Sequence, residues 1–114
     1  MSLRLNDIKI EEHFNLIEFQ CPCCHTVKLH PLLLKRAAWL RETLGLPLKV
    51  NSAYRCVGHN KTVGGAAESR HRHGRAIDVS TPRESQEEFR RMALFCGFER
   101  VILYPERGFA HIEI

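Results

Sequence analysis

The sequence lacks any run of about 18 apolar residues, the length that a membrane-spanning helix requires. Its opening segment, MSLRLNDIKIEEHF, contains no continuous apolar stretch of the kind found in secretory signals. We therefore expect no membrane span and a chain that is cytoplasmic as synthesised, reaching any external target by another route. Internal repeats and linkers are also missing, so residues 1–114 are predicted to form a single domain.

A strong excess of one charge is missing as well. The net charge is only +4, and the basic residues are scattered along the chain. A basic surface suits an anionic partner such as nucleic acid or a bacterial wall polymer, although solubility alone explains a charge of this size. Nucleic-acid binding through RHRHGR at 70–75 and a Cys-rich zinc site would need a contiguous basic face, which scattered basic residues do not favour. Nucleic-acid binding is therefore not predicted.

The five cysteines do not form the pattern of a disulfide framework, because their number is odd and no export signal is visible. CPCCH contains one Cys-x-x-Cys pair, Cys21 and Cys24, followed by His25. A structural zinc needs about four ligands, usually from two spaced pairs, and no second pair is present. The alternative is a tight turn with small, semi-buried thiols. The role of this segment is left open.

Two segments have the pattern of helices. Apolar residues recur every three or four positions from Pro31 to Leu44, which predicts a helix there. A second helix is predicted from Thr81, as the capping residue, to about Cys96. Residues 1–20 are expected to form an amphipathic lead-in. Residues 53–70 are expected to form a long loop, and such loops in compact domains are commonly functional.

Four short segments are predicted to be strands: residues 47–52, 75–80, 100–104 and 109–114. The last two are joined by the short turn PERG. Helices and strands are mixed without a regular βαβ alternation. We therefore expect an α+β fold with a mainly antiparallel sheet of about four strands and two or three helices.

One of these strands contains an aspartate, which strands disfavour. Asp78 has apolar neighbours, and a buried carboxylate is costly unless it is paired or binds a metal. His111 raises the same question in FAHIEI, and the two residues could be neighbours across one sheet. His71 precedes Asp78 by a short loop that Gly74 can bend. Two histidines and a carboxylate are a usual ligand set for catalytic zinc.

Each residue of this trio also has a simpler explanation. Asp78 could pair with Arg75 or Arg100. His111 could be a hydrogen-bonded core histidine, and His71 could be a solvated loop residue. Together, a short His-x6-Asp stretch and a strand histidine make metal binding a competing interpretation.

The run NSAYRCVGHNKTVGGAAESRHRHGRAIDVS resembles the signature of peptidase family M15, the zinc D-Ala-D-Ala carboxypeptidases. The family pattern is Ser-x-Tyr-Arg, then Asn and Gly-Gly, then Ser-x-His-x-x-Gly-x-Ala-x-Asp. The matching residues are Ser52, Tyr54, Arg55, Asn60, Gly64, Gly65, Ser69, His71, Gly74, Ala76 and Asp78. EFQCPCC and the closing segment GFERVILYPERGFAHIEI also resemble the small bacterial and phage subgroup. The resemblance therefore covers about residues 14–114.

The resemblance implies a hedgehog/DD-peptidase-like fold and one zinc ion held by His71, Asp78 and His111. It implies that Arg55 binds the carbonyl or carboxylate of the substrate, a task that suits its planar pair of donors. Ser69 and Tyr54 are implied to shape the substrate pocket. His73 falls at a variable position of the motif and is expected at the surface.

The general base is the point at which this sequence departs from the family. Many members carry an acidic residue three positions before the last histidine, where this chain has Gly108. Glu106 and Glu113 are the two candidate bases, and His59 is a weaker third. The small subgroup often has His-x-Asp at the end of the chain, which His111 and Glu113 resemble. The sonic hedgehog signalling domain shares the fold and the zinc trio and has a glutamate in the turn before its last ligand strand, which slightly favours Glu106 over Glu113.

The resulting expectation is a monomeric zinc peptidase that hydrolyses peptide bonds in the peptide stems of peptidoglycan, next to D-amino acids. It would be a D-Ala-D-Ala carboxypeptidase or an endopeptidase, of the kind that phages and prophages use for lysis. The alternative is a hedgehog-like binding module that keeps zinc without peptidase activity.

Overall fold

The structure of the protein, a computed structural model, describes residues 4–114. The strands are β1 Lys9–Glu11, β2 Phe14–Asn15, β3 Val50–Ser52, β4 Ala76–Ser80, β5 Arg100–Tyr104 and β6 Phe109–Glu113. The helices are α1 Pro31–Leu44, α2 Val57–Thr62 and α3 Gln86–Phe95. Short 3-10 segments are Leu16–Phe19, Arg70–His73, Arg83–Ser85 and Pro105–Arg107. The predicted α+β fold with antiparallel pairing is confirmed.

The main sheet has four antiparallel strands in the order β3-β4-β6-β5. Ile77 pairs with Ile112, and Asp78 pairs with His111. Because successive side chains on a strand point to opposite faces, these two pairs lie on opposite sides of the sheet. One side is the apolar face of the core, and the other carries the ionisable residues. A slip of one residue would exchange the two faces, so the apolar pattern fixes the register.

Helix α1 has the predicted bounds. It begins where the ring of His30 accepts a hydrogen bond from the backbone N–H of Leu32 at 3.1 Å, with Pro31 in the first turn. It ends at Gly45, which has a φ of +66°. Its buried face consists of Leu33, Ala37 and Leu40, spaced three and four residues apart.

The core lies between the apolar face of the sheet and the two longer helices, α1 and α3, which also contact each other. Its fully or almost fully buried members include Phe19, Leu33, Leu40, Ile77, Val79, Phe98 and Ile112. Among the described residues, no helix combines the length and the apolar character needed to cross a membrane.

Two predictions for the middle of the chain are wrong: the loop at 53–70 and the start of the helix after β4. The expected loop at 53–70 contains helix α2, whose first turn is capped by the thiol of Cys56. Thr81 does not cap the next helix, because α3 begins only at Gln86, after the 3-10 segment. The hydroxyl of Thr81 accepts a hydrogen bond from the side-chain amide of Gln86 instead.

The N-terminal segment is more ordered than a simple lead-in. Strand β1 pairs with β2 in a small second sheet that the sequence did not indicate. The following 3-10 segment is capped by Asn15, whose side chain accepts from the N–H of Ile17, while Glu18 accepts from the N–H of Asn15. Phe19 then enters the core. Residues 1–3 of the predicted lead-in lie outside the described residues.

Candidate metal centre

Three side chains meet on the polar face of the main sheet. Asp78 comes from β4, His111 from the paired position on β6, and His71 from the 3-10 segment that precedes β4. Asp78 Oδ1 lies 3.2 Å from His71 Nε2 and 3.0 Å from His111 Nδ1. The three potential ligand atoms all lie within 4.8 Å of one another. Two imidazole nitrogens and one carboxylate oxygen thus converge on a space that a single metal ion could occupy.

His71 is held in place from three directions. The hydroxyl of Ser69 accepts a hydrogen bond from its backbone N–H at 3.3 Å, and Gly74, with a φ of +67°, ends the 3-10 segment. The ring is 2% exposed, and its Nδ1 lies 2.7 Å from the carbonyl oxygen of Ala53. Because a carbonyl oxygen only accepts hydrogen bonds, Nδ1 carries the proton. Nε2 faces Asp78 Oδ1 and is the ring nitrogen that is placed to bind a metal ion.

His111 lies between two carboxylates. Its Nδ1 faces Asp78, while its Nε2 lies 2.8 Å from Glu113 Oε1. Glu113 is almost fully buried, and its other oxygen lies 3.1 Å from Nε of Arg70. With its carboxylate fixed in this way, Glu113 can accept a hydrogen bond from the Nε2–H of His111 and leave Nδ1 as the ligand atom.

Asp78 is also bound by an arginine, and the partner differs from the two that the sequence suggested. Its Oδ2 lies 3.2 Å from a terminal nitrogen of Arg55, whereas neither Arg75 nor Arg100 forms an ion pair with it. Arg55 is oriented by a second bond, from its Nε to the hydroxyl of Ser52 at 3.2 Å. One oxygen of Asp78 therefore faces the histidines, and the other faces the guanidinium.

These contacts shift the protonation of the centre. Burial on its own would raise the pKa of Asp78, but the hydrogen bonds from His111 and His71 outweigh it and hold that pKa far below its usual value. Burial would likewise lower the pKa of His111, yet the hydrogen bonds to Asp78 and Glu113 raise it above the ordinary 6.5. Without a cation, the site thus favours an ionised Asp78 beside a protonated His111. A bound metal ion would take the place of that proton.

The trio lines an open cavity of about 880 Å³. Its described lining includes Arg55, Ser69, Arg70, His71, Asp78, Arg100, Tyr104, Arg107, Phe109, His111 and Glu113. The rings of Tyr104 and Phe109 stack 4.5 Å apart and form one apolar wall. The cavity therefore combines several arginines, which suit carboxylates, with a flat apolar surface.

Four of the remaining candidate residues do not line this cavity. Glu106 is exposed in the turn between β5 and β6, although Tyr104 and Arg107 on either side of it do line the cavity. The side chain of Tyr54 is buried beneath Lys28, 5.8 Å from its ammonium nitrogen. His59 lines a smaller neighbouring cavity that also contains Arg55. His73 is half-exposed, as expected for a surface residue.

The family motif residues between Tyr54 and Ser69 form one edge of the cavity. The buried side chain of Asn60 donates to the carbonyl oxygen of Ala66 at 2.8 Å, and the backbone carbonyl of Asn60 accepts from the N–H of Gly65 at 2.8 Å. A Cβ at Gly65 would lie only 2.8 Å from Cγ of Asn60, so a larger residue at this position would displace the Asn60 side chain. Asn60 thus closes the turn that leads to Ser69 and His71.

Two supporting groups were missed by sequence reasoning. Arg70 fixes Glu113 and, through it, His111, while the carbonyl of Ala53 fixes the ring of His71. Arg70 directly precedes His71, but nothing in the sequence shows that its side chain reaches a residue at the other end of the chain. A backbone carbonyl gives no sequence signal at all.

Comparison with known proteins identifies a family. A search of curated proteins gives no match. Residues 12–113, nearly the whole chain, match the Peptidase M15 family, so His71, Asp78 and His111 fall within the matched region. The chain therefore belongs to the Peptidase M15 family.

Proposed function

We propose that this protein is a zinc metallopeptidase, formed by one domain over residues 1–114, that cleaves the peptide stems of peptidoglycan next to D-amino acids. The observation that carries the proposal is the convergence of His71 Nε2, Asp78 Oδ1 and His111 Nδ1 in the lining of a cavity, in a chain of a peptidase family. Family membership supports peptide hydrolysis, and the site supports a metal-dependent form of it.

The donor set fits a catalytic zinc site, in which three protein ligands leave one position open. Each proposed ligand is held by a further group: His71 by the Ala53 carbonyl, His111 by Glu113 and Asp78 by Arg55. Such outer partners orient the ligands and raise their affinity for the metal. A zinc ion would supply Lewis-acid chemistry, polarising a carbonyl and making water nucleophilic near neutral pH.

The two candidate glutamates are proposed to have different roles. Glu113 is engaged by His111 and Arg70, which suits a residue that positions a ligand. Glu106 lies in the turn between two residues that line the cavity, where a carboxylate can approach a bound substrate. We therefore assign the removal of the water proton to Glu106.

Arg55 is proposed to act on the substrate as well as on Asp78. Its guanidinium lines the cavity, so it can donate to the oxygen of the scissile carbonyl as negative charge develops there. Arg100 and Arg107 line the same cavity and suit the free carboxylates of a peptidoglycan stem. The net charge of +4 favours approach to an anionic wall.

The deciding experiment is digestion of purified peptidoglycan by the zinc-loaded protein, with mass analysis of the products. Loss of a terminal D-alanine would identify a carboxypeptidase, and separation of cross-linked stems would identify an endopeptidase. The Asp78→Asn variant serves as the metal-site control and is expected to be inactive. Binding of stems by the zinc-loaded wild-type protein without any cleavage would refute the proposal and favour a hedgehog-like binding module.

A further inference from the structure

A second group of metal-ligating side chains lies outside the centre described above. The turn after Leu16–Phe19 contributes Cys21, Cys23 and Cys24, and Cys56 approaches from the residue before α2. The four sulfur atoms all lie within 4.8 Å of one another. We propose that these four thiols hold a structural zinc ion, separate from the zinc proposed for catalysis and independent of whether the chain is a peptidase.

The sulfur positions fit a tetrahedral metal site. Cys23 Sγ lies 3.5 Å from Cys21 Sγ and 3.3 Å from Cys56 Sγ. Zinc–sulfur bonds of about 2.3 Å place the sulfur atoms of a regular tetrahedron about 3.8 Å apart. A disulfide bond would instead require a separation of about 2 Å, and all four cysteines are free. The sulfur–sulfur distances are therefore close to those of four ligands around one zinc ion.

Packing of apolar side chains does not account for the cluster. Cys21 is fully buried and Cys56 is half-buried, but Cys23 and Cys24 are exposed. A free cysteine that serves only to fill space behaves as a small hydrophobe and is normally buried. Cys96 shows that ordinary behaviour, because it is fully buried in the core and lies outside the cluster. The exposed thiols of Cys23 and Cys24 lie close to those of Cys21 and Cys56, and metal binding explains this arrangement.

The main chain around the cluster supports negative charge on sulfur. The N–H of Cys56 donates to Cys21 Sγ at 3.5 Å, and the N–H of His59 donates to Cys56 Sγ at 3.4 Å. Two backbone hydrogen bonds of 2.8 Å, between Cys21 and Thr26 and between His25 and Cys21, close the turn that carries the other thiols. N–H donors favour the thiolate, which is the form that binds metal.

The ligand set indicates a structural role. Four thiolates fill a tetrahedral shell and leave no position for substrate or water. The ion would join the turn at Cys21–Cys24 to Cys56, whose neighbour Arg55 reaches Asp78 at 3.2 Å. It would thereby fix the loop that carries Arg55 to the N-terminal part of the chain. The sequence did not reveal this site because the fourth ligand stands alone, far from the CPCC segment and without a second Cys-x-x-Cys pair.

The test is elemental analysis of protein that is purified without added metal. The wild type is expected to contain two zinc ions per chain. Asp78→Asn should retain one, and the double variant Cys23→Ser/Cys56→Ser should also retain one. Cys96→Ala is the matched control, since it removes a thiol outside the cluster, and should retain two. Because Asp78→Asn removes only the proposed catalytic site, a failure of either metal proposal is recognisable by itself.

Cobalt substitution of the wild type supplies a readout that does not depend on any variant folding. Cobalt at the cysteines should produce intense thiolate-to-cobalt charge-transfer absorption, which should persist in Asp78→Asn and vanish in the double cysteine variant. Cobalt-loaded wild type without that absorption would overturn the proposal. So would iron in place of zinc, a disulfide among these cysteines in the purified protein, or unchanged zinc content in the double cysteine variant.

Discussion

Replacement of Gly74 by alanine should destabilise the segment that carries His71. Gly74 has a φ of +67°, and the left-handed conformation costs an L-residue roughly 1–2 kcal/mol. A Cβ atom there would also lie 2.6 Å from the carbonyl carbon of Lys28 and 2.9 Å from the backbone nitrogen of Leu29. Both are backbone atoms of a segment that is hydrogen-bonded to Gly74, through His30 N–H at 2.9 Å, so they have little freedom to move.

Overpacking of this kind costs about 1–3 kcal/mol in addition to the conformational term. Gly74→Ala is therefore expected to lower the free energy of unfolding by about 2–5 kcal/mol. Gly45→Ala is the matched control, because Gly45 has nearly the same φ, +66°, but nothing within 4 Å of its added Cβ. In that control, the free energy of unfolding is expected to fall by only about 1–2 kcal/mol.

The assay is urea denaturation of both variants in metal-free form, followed by circular dichroism. Metal-free protein is used so that loss of zinc does not add to the measured difference. The affinity for zinc, measured by competition with a chelator, should fall in Gly74→Ala and stay unchanged in Gly45→Ala. Equal destabilisation of the two variants would refute the steric reasoning, because only the conformational cost would then be present.

Replacement of Glu113 should change the affinity for zinc, whereas replacement of Glu106 should change the catalytic rate. Glu113→Gln is expected to weaken zinc binding about 10–100-fold, as measured by chelator competition, because it disturbs the partner of His111. Glu106→Gln should keep its zinc affinity and lose about 100-fold or more in kcat on peptidoglycan fragments, whereas full activity would exclude it as the base. Since the pKa of His111 is raised above 6.5, its contribution to the stability of the metal-free protein should be fully present below that pH and be lost as the pH rises through the raised value. Zinc binding should show the opposite trend and weaken as the pH falls, and thermal melting with and without zinc across that range checks both signs.

The alternation of apolar and polar residues made the core and the polar face of the sheet predictable. In β4 and β6, it predicted strands in which Asp78 and His111 differ from their apolar neighbours, and the pairing of these two residues follows from the strand register. The bounds of α1 were also predictable, since Pro31 and Gly45 mark its ends.

The parts that escaped prediction depend on contacts between distant segments or on short elements. Helix α2 has only six residues, too few for a periodic pattern, and its cap is a cysteine. Arg55 pairs with Asp78, and Cys56 approaches Cys23, only because the loop before α2 folds back on the sheet and the N-terminal turn. Sequence spacing carries no information about such approaches.

Anomalous diffraction at the zinc edge, from crystals of the zinc-loaded protein, tests most directly whether His71, Asp78 and His111 hold a zinc ion. The expected result is a peak about 2.0–2.2 Å from His71 Nε2, an oxygen of Asp78 and His111 Nδ1. A zinc-loaded crystal in which this position has no anomalous peak, or in which the catalytic ion is held by other side chains, would contradict the proposed centre.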